Sequence, residues 1–234
     1  MRKSRFMIAA LAIAAGFSSA AMAEVSGIVK LDGKAPEPQV INMAAQAVCA
    51  AAHNAPVKEE SIVVSAANGL ANVVVAIKKE EGMDLPGDAP KTPVILDQKG
   101  CQYSPHVVAM QLGQELHAKN SDATLHNVHS LPEKNDADNV AQPAPGTTKL
   151  KTKKDAEYFK VKCDVHPWMN AWVAVIDNPF FAVTDKDGKF TLPKGLPDGE
   201  YTLHVWHEML GEQDVKISVK GDKAADIAIS VKAK

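Results

Sequence analysis

The sequence predicts an all-β fold, and three observations support this prediction. Short segments that alternate between apolar and polar residues, or that are rich in β-branched residues, recur along the chain. Turn sequences separate many of them, as at Asp32-Gly33 and Asp187-Gly188. Only one segment, the alanine-rich stretch 43–53, is typical of a helix. Many short strands joined by such turns are typical of β-sandwiches and β-barrels.

The predicted strands fall into three groups along the chain. In the first group, residues 25–31 alternate, while the nearly continuous apolar run 70–77 is typical of a strand covered on both faces. Between the first and second groups lies a proline-containing linker. The second group comprises residues 93–97, 115–119, 125–130, 158–163 and 172–176. The third group comprises residues 181–184, 190–192, 201–206, 216–219 and 227–231. Within the second group, the polar stretch 132–148 is expected to be a loop without strands.

Residues 1–23 have the pattern of a secretory signal peptide. A basic stretch with Arg2, Lys3 and Arg5 precedes a ten-residue apolar run that is too short to span a bilayer, and a small-x-small cleavage pattern ends at Ala23. We therefore expect a periplasmic or secreted protein once this segment is removed. No later segment has 18 uncharged apolar residues, so we expect no stable membrane insertion.

The composition argues against several functional classes. The chain of 234 residues is 46% hydrophobic and 23% charged, which is typical of a globular protein rather than a disordered one. Its formal charge is −2, and aromatic residues make up only 5%. A nucleic-acid partner is not expected, because such proteins carry a strong basic excess or aromatic stacking platforms.

The segment from Cys163 to Met169 has the pattern of a metal-binding loop. Cys163, His166 and Met169 recur every three residues, and two histidines with one cysteine and a weak axial methionine are the ligands of blue-copper electron-transfer sites. The loop supplies three of these four ligands, so the second histidine is expected upstream, in residues 125–129. A catalytic Cys–His pair is the less favoured interpretation, since it would leave Met169 without a role.

The pattern His-Asn-Val-His, followed by Cys-x-x-His-Pro-x-Met, closely resembles the amicyanins among the plastocyanin-like cupredoxins. The resemblance covers residues 94–177, and the long loop 132–145 departs from it. It implies one type 1 copper per chain and a protein that carries single electrons between redox proteins, such as a c-type cytochrome or a dehydrogenase, rather than an enzyme. The copper ligands that it implies are His126, Cys163, His166 and Met169. It also implies that Asn127 holds the ligand loop by hydrogen bonding.

The flanking segments resemble a second family, the carboxypeptidase regulatory-like β-sandwiches, most specifically over residues 184–203. The combination resembles secreted proteins of the methylamine utilisation type. Linear domains would leave the strand at 70–77 without a partner sheet. We therefore predict a cupredoxin Greek-key β-barrel, residues 91–178, inserted in a discontinuous regulatory-like β-sandwich, residues 24–90 plus 179–234. The sequence leaves open whether Trp206 fills the core of this sandwich or contacts the copper loop.

Three further histidines, His106, His129 and His207, are candidates for an accessory metal site, since imidazole clusters also bind copper or zinc. On a strand, His129 points away from the face of His126, so a surface position is its alternative. Two other functions stay open at this point. The first is a copper chaperone or store that uses the same ligands, and the second is a copper oxidase with a second, histidine-built copper.

The cysteine count of three leaves one thiol unpaired. Cys163 belongs to the metal-binding pattern, so Cys49 and Cys101 are the natural disulfide in an oxidising compartment. The alternative is that both remain buried thiols. A bridge would close a loop of about 50 residues and stabilise the fold by about 3–4 kcal/mol.

Overall fold

The computed structural model describes residues 24–220 and 225–233, and the predicted signal peptide lies outside them. The described residues form sixteen strands and one short helix, which confirms the all-β class. No helix in these ranges is long and apolar enough to cross a membrane. The elements are β1 (Val25–Asp32), α1 (Ala47–Ala51), β2 (Val74–Ile77), β3 (Val94–Gln98), β4 (Tyr103–Ser104), β5 (Val107–Gln111), β6 (Leu116–Asn120), β7 (His126–Leu131), β8 (Asn139–Gln142), β9 (Gly146–Lys149), β10 (Glu157–Lys162), β11 (Asn170–Ile176), β12 (Phe181–Val183), β13 (Lys189–Thr191), β14 (Gly199–His207), β15 (Gly211–Val219) and β16 (Ala225–Lys232).

The strands pair into four sheets. We call β1, β2 and β12–β16, which lie towards the two ends of the described chain, the flanking strands, and β3–β11 the central strands. The orders β13-β1-β16 and β12-β2-β14-β15 use only flanking strands, whereas β5-β11-β10-β7-β8 and β4-β3-β6-β9 use only central ones. Strand β2, from the first flank, pairs with β12 and β14 from the second. This pairing supports the predicted insertion of the central strands, while the domain boundaries themselves stay a prediction.

Three apolar layers hold the four sheets together. One core lies between the two flanking sheets and includes Phe190 and Leu203. A second lies between the two central sheets and includes Phe159, Cys163 and Met169. The third layer joins β2 to β5 and β11. The flanking sheet β12-β2-β14-β15 therefore packs on the central sheet β5-β11-β10-β7-β8. Because β2 is buried on both faces, its sequence is apolar without alternation.

Close backbone approach fixes the turn that precedes β13. Gly188 has a φ of +79°, and a Cβ there would lie 2.3 Å from the carbonyl oxygen of Val29. The N–H group of Val29 donates to the carbonyl of Gly188 over 2.8 Å. A larger residue would therefore separate the turn from β1.

The prediction of a strandless loop over residues 132–148 is wrong. Strand β8 pairs with β7, and β9 pairs with β6, so this segment adds one edge to each central sheet. Its polar character reflects this edge position, where one face meets water. The structure also contains β4 and β5, which the sequence analysis missed, and its only described helix spans five residues rather than the predicted eleven.

Candidate metal centre

Three potential ligands from two distant segments meet in the core between the central sheets. The Nδ1 atoms of His126 and His166 lie 3.1 Å apart, and the Cys163 Sγ atom lies 3.7 Å from Nδ1 of His166. All three side chains are buried. Met169 is 1% exposed and belongs to the same core cluster. The structure therefore brings His126, Cys163 and His166 together, with Met169 in the same buried region.

A tight turn after β10 presents the ligands of the loop. The N–H group of Cys163 donates to the carbonyl of Met169 over 3.1 Å, and the N–H group of Met169 donates to the carbonyl of His166 over 2.9 Å. The hydroxyl of Tyr103 donates to the carbonyls of Asn127 and Lys162 at 2.7 and 3.2 Å. The first two bonds close the loop on itself, and the Tyr103 hydroxyl links the end of β10, where the loop begins, to β7, the strand that carries His126.

Asp122 fixes the orientation of the His126 ring. A carboxylate oxygen of Asp122 lies 2.9 Å from Nε2 of His126. Burial raises the pKa of Asp122, but hydrogen bonds from the N–H groups of Cys101 and Gly100 and from His126 outweigh it and hold that pKa below its ordinary value. An ionised carboxylate only accepts hydrogen bonds, so Nε2 carries a proton and Nδ1 is the ring nitrogen that faces the centre. Burial lowers the pKa of His126, but hydrogen bonds with Cys163 and Asp122 outweigh it, so that pKa is raised and a metal ion would displace a proton from Nδ1.

The same arrangement favours the ligating forms of Cys163 and His166. Burial raises the pKa of the Cys163 thiol, but the His126 ring and the backbone N–H groups of Asn127, Val165 and His166 outweigh it, so that pKa is lowered. Burial and the nearby His126 ring lower the pKa of His166. A thiolate, two imidazoles and a buried thioether are donors that fit copper, whereas calcium and magnesium require oxygen ligands.

Asn127 connects β7 to the residue that follows Cys163. Its N–H group points at the Cys163 Sγ atom over 3.5 Å, and its side-chain oxygen accepts from the N–H group of Asp164 at 2.6 Å. Its side-chain nitrogen donates to Asp164 and to Asn139 on β8. These contacts link β7 and β8 to the start of the ligand loop, and the role that the resemblance implies for Asn127 stays a prediction. Hydrogen bonds from Lys162 and Asn127 lower the pKa of Asp164 to about 2, so this acceptor stays ionised.

The predicted Cys49–Cys101 disulfide is confirmed, with Cα atoms 5.5 Å apart. The disulfide lies beside the cluster of His126, Cys163 and His166. Sulfur atoms of both cysteines and a ring nitrogen of His166 all lie within 4.8 Å of one another. The carbonyl of Cys101 also accepts a hydrogen bond from Trp168 Nε1 at 3.0 Å, and the Trp168 ring lies 5.3 Å from that of His166. The bridge therefore ties the helix α1 to the ligand loop.

The three accessory histidines each have their own contacts. His129 contacts Asp164 over 2.9 Å at the surface, as its surface alternative expects. His106 pairs with Glu208 in a buried contact between the central and flanking strands. His207 is buried, accepts from the N–H group of Met209, and has its pKa lowered to about 4 by burial. Among the described residues, the groups able to hold a metal do not include these three histidines, so the geometry gives the accessory site no support.

Trp206 joins the central and flanking sheets rather than taking either predicted position. Its ring stacks on Tyr158 at 4.9 Å and meets Trp172 edge-on at 5.1 Å. Tyr158 and Trp172 lie on β10 and β11, on the face that packs against the flanking sheet. Glu208, two residues after Trp206, accepts from Trp172 Nε1 at 2.8 Å.

Sequence reasoning missed Asp122 and Tyr103 as supports of the ligands. The signal for Asp122 was its position four residues before His126, in the polar turn that precedes β7. No comparable signal exists for Tyr103, because its hydroxyl reaches the ligand segments only through the pairing of distant strands.

No family model and no curated protein matches this sequence. Among solved structures, the chain is similar to a copper-containing nitrite reductase from Thermus scotoductus SA-01, with 15% identity, a TM-score of 0.35 and coverage of 37% of this chain and 23% of that one. It is similar to the Cu(I) form of an amicyanin mutant, with 20% identity, a TM-score of 0.33 and coverage of 43% and 97%. A purple cupredoxin from Nitrosopumilus maritimus matches with 22% identity, a TM-score of 0.28 and coverage of 32% and 81%. The match spans less than a quarter of the nitrite reductase, and the function proposed below rests on the geometry of the ligand cluster.

Proposed function

We propose that this chain is a periplasmic type 1 copper protein that carries single electrons between redox proteins. The observation that supports this most is the convergence of two imidazole Nδ1 atoms and one thiol in a buried site, with His126 oriented by Asp122. His126, Cys163, His166 and Met169 would hold one copper ion. A copper ion held there supplies one-electron redox chemistry.

The residues around the site are suited to this role because hydrogen bonds hold them from several sides. His126 is held by Asp122, the Cys163 sulfur faces the N–H group of Asn127, and Trp168 is tied to Cys101. Ligands that are fixed before the ion binds move little when its charge changes. A small reorganisation of this kind favours fast electron exchange.

The ligand loop, Cys163 to Met169, also offers electrons a route from the site to the protein surface. Val165 and Pro167 are exposed on either side of His166, which is itself 1% exposed. We propose that a redox protein, a c-type cytochrome or a dehydrogenase, docks on this apolar edge and exchanges electrons through His166. On this proposal the chain is an electron carrier and not an enzyme.

The experiment is to load the purified protein with Cu(II) and record its visible spectrum. We expect an intense absorption from charge transfer between the Cys163 thiolate and copper, at one copper per chain, and its complete loss in Cys163→Ser. A protein that takes up zinc in preference to copper, or that stays colourless with Cu(II), would overturn the proposal.

A pair of methionine variants separates a ligand role from a packing role. Met169→Leu should shift the reduction potential of the loaded protein, while Met110→Leu, which changes an equally buried methionine of the same core, should leave it unchanged. Equal shifts in both variants would contradict the assignment of Met169 as the axial ligand.

A further inference from the structure

The disulfide occupies an unusual place, directly against both ligand histidines. Sulfur atoms of Cys49 and Cys101 and a ring nitrogen of His166 all lie within 4.8 Å of one another. The Cys101 sulfur, an oxygen of Asp122 and a ring nitrogen of His126 form a second group of the same size. Cys49, Cys101 and both histidines are each no more than 2% exposed. Two sulfurs that are now bonded to each other therefore lie among potential metal ligands.

Cys101 is held in this position by more than the disulfide. It occupies the tip of the β3–β4 hairpin, where Gly100 and Cys101 have φ values of +63° and +53°. Positive φ at both central residues is the geometry of a type I′ turn, and it is uncommon for a cysteine. The N–H groups of both residues donate to the Asp122 carboxylate at 2.7 and 2.8 Å. Cys101 would therefore stay beside the histidines after the disulfide is cleaved.

Cys49 lies on the segment 39–59, which is mostly exposed and packs on the central core through Ile41, Met43, Cys49 and Val57. The N–H group of Ile41 donates to the carbonyl of Val57, and only Met43 and Cys49 are buried within this segment. His53 Nε2 lies 2.7 Å from the carbonyl of Gly100, next to Cys101. Because few buried side chains anchor this segment, we expect it to open locally at a lower free energy than the whole fold, and such opening would give a reductant access to the bridge.

We propose that Cys49, Cys101 and His166 form a second binding site for a soft metal ion, Cu(I), which is assembled when the disulfide is reduced. In the reduction the S–S bond breaks, a dithiol reductant gives up two electrons and two protons, and the reductant becomes a disulfide itself. Cu(I) then displaces the thiol protons, and two thiolates with one imidazole are the soft ligand set that it prefers.

The two sites share His166, which makes them alternatives rather than neighbours. The oxidised chain would hold copper at His126, Cys163, His166 and Met169, and the reduced chain would hold Cu(I) at the new site. This inference goes beyond the proposed electron transfer and does not require it. It gives the chain a means to retain or pass on Cu(I) under reducing conditions.

The experiment uses the mature Cys163→Ser protein, which lacks the first site's thiolate. Its Cu(I) affinity is measured without oxygen, in competition with a chromophoric Cu(I) chelator, before and after reduction with a phosphine that is then removed. We expect the reduced variant to bind one Cu(I) per chain more than about 100-fold more tightly than the oxidised one, since losing two thiolate ligands exceeds the 10–100-fold effect of supporting residues. Equal affinity in the two forms would overturn the proposal.

Two histidine variants, made in the Cys163→Ser background, test whether the folded site is involved. His166→Gln should weaken Cu(I) binding by the reduced chain at least about tenfold. His204→Gln, which changes a histidine of the flanking strand β14 that pairs with Asp214, should not. Unchanged affinity in His166→Gln would mean that the two thiols bind Cu(I) without the folded site, which would overturn the proposal. Failure here leaves the spectrum of the oxidised wild-type protein unaffected, so the two proposals fail separately.

Discussion

The central and flanking strands differ in what they bury. Thirteen of the seventeen buried polar side chains in the described part of the chain lie between Val94 and Ile176, and only Asn178, Thr184, Thr202 and His207 lie outside that range. In the centre, Gln98 donates to Gln142 at 2.6 Å, and Asn120 donates to three carbonyls. Buried polar groups are costly unless they are hydrogen-bonded. This network reaches the metal centre through Asp122, whose N–H group donates to the Asn120 side chain at 2.9 Å and whose carboxylate contacts His126. The central sheets therefore bury a polar network beside the ligands, while the flanking sheets bury few polar groups.

Removing one large core side chain from each region is the strongest test of this difference. Phe159→Ala in the central core and Phe190→Ala in the flanking core should each lower the free energy of unfolding by about 3–5 kcal/mol, because both rings are buried and each leaves a cavity. Denaturant unfolding measures this loss. Only Phe159→Ala should also weaken copper binding, because its core contains Cys163 and Met169. Equal copper affinities in the two folded variants would break the comparison.

The buried ion pair of the central region should be nearly as important. Lys153 Nζ lies 2.8 Å from the Asp138 carboxylate, and the two side chains are 1% and 3% exposed. Asp138→Leu should cost about 3–5 kcal/mol in denaturant unfolding, because it leaves a buried ammonium without a partner. Adding Lys153→Met should recover most of this loss.

The matched control is the exposed pair of Lys154 and Asp136, whose side chains are 76% and 68% exposed. Asp136→Leu should change stability by no more than about 1 kcal/mol, because water screens the pair. A comparable loss at Asp136 and Asp138 would mean that burial does not determine the value of these contacts.

Removing the charge of Asp122 should affect the metal centre more than the fold. Asp122→Asn keeps the shape of the side chain but weakens its hold on Nε2 of His126, so we expect copper affinity to fall about 10–100-fold. Competition with a chelator measures this change. Asp155→Asn, which changes an exposed carboxylate, serves as the control and should bind copper as the wild type does.

The smallest expected effect concerns pH and Glu157. Burial raises the pKa of Glu157, but hydrogen bonds from the Asn135 side chain and from the N–H groups of Glu133, Lys134 and Asn135 outweigh it, so the pKa is lowered. A lowered folded pKa contributes stability above the unfolded pKa, about 4.3, and this contribution is lost as the pH falls through the folded value. Glu157→Gln should therefore cost about 1–2 kcal/mol at neutral pH.

Unfolding curves of the wild type and Glu157→Gln at several pH values measure this dependence. The difference between the two proteins should shrink as the pH falls below about 4. A constant difference from pH 7 to pH 3 would show that the hydrogen bonds do not favour the charged form.

Local patterns in the sequence predicted those features whose residues lie close together along the chain. The loop from Cys163 to Met169 could be interpreted because its ligand types and spacing fit one turn. The run that contains β2 could be assigned as a strand covered on both faces, since the absence of alternation reflects burial on each side. The disulfide followed from the odd count of cysteines once Cys163 was set aside.

Only the tertiary structure decided what surrounds those residues. His126 and Cys163 are 37 positions apart, and the pairing of β7 with β10 brings their strands together. The β3–β4 hairpin tip donates to Asp122, and this approach places the disulfide against the histidines. Strands β8 and β9 are polar because they lie at sheet edges, and periodicity alone does not distinguish such an edge from a loop. Contacts of this kind depend on which faces of distant strands pack together, and the spacing of residues along the chain does not determine that packing.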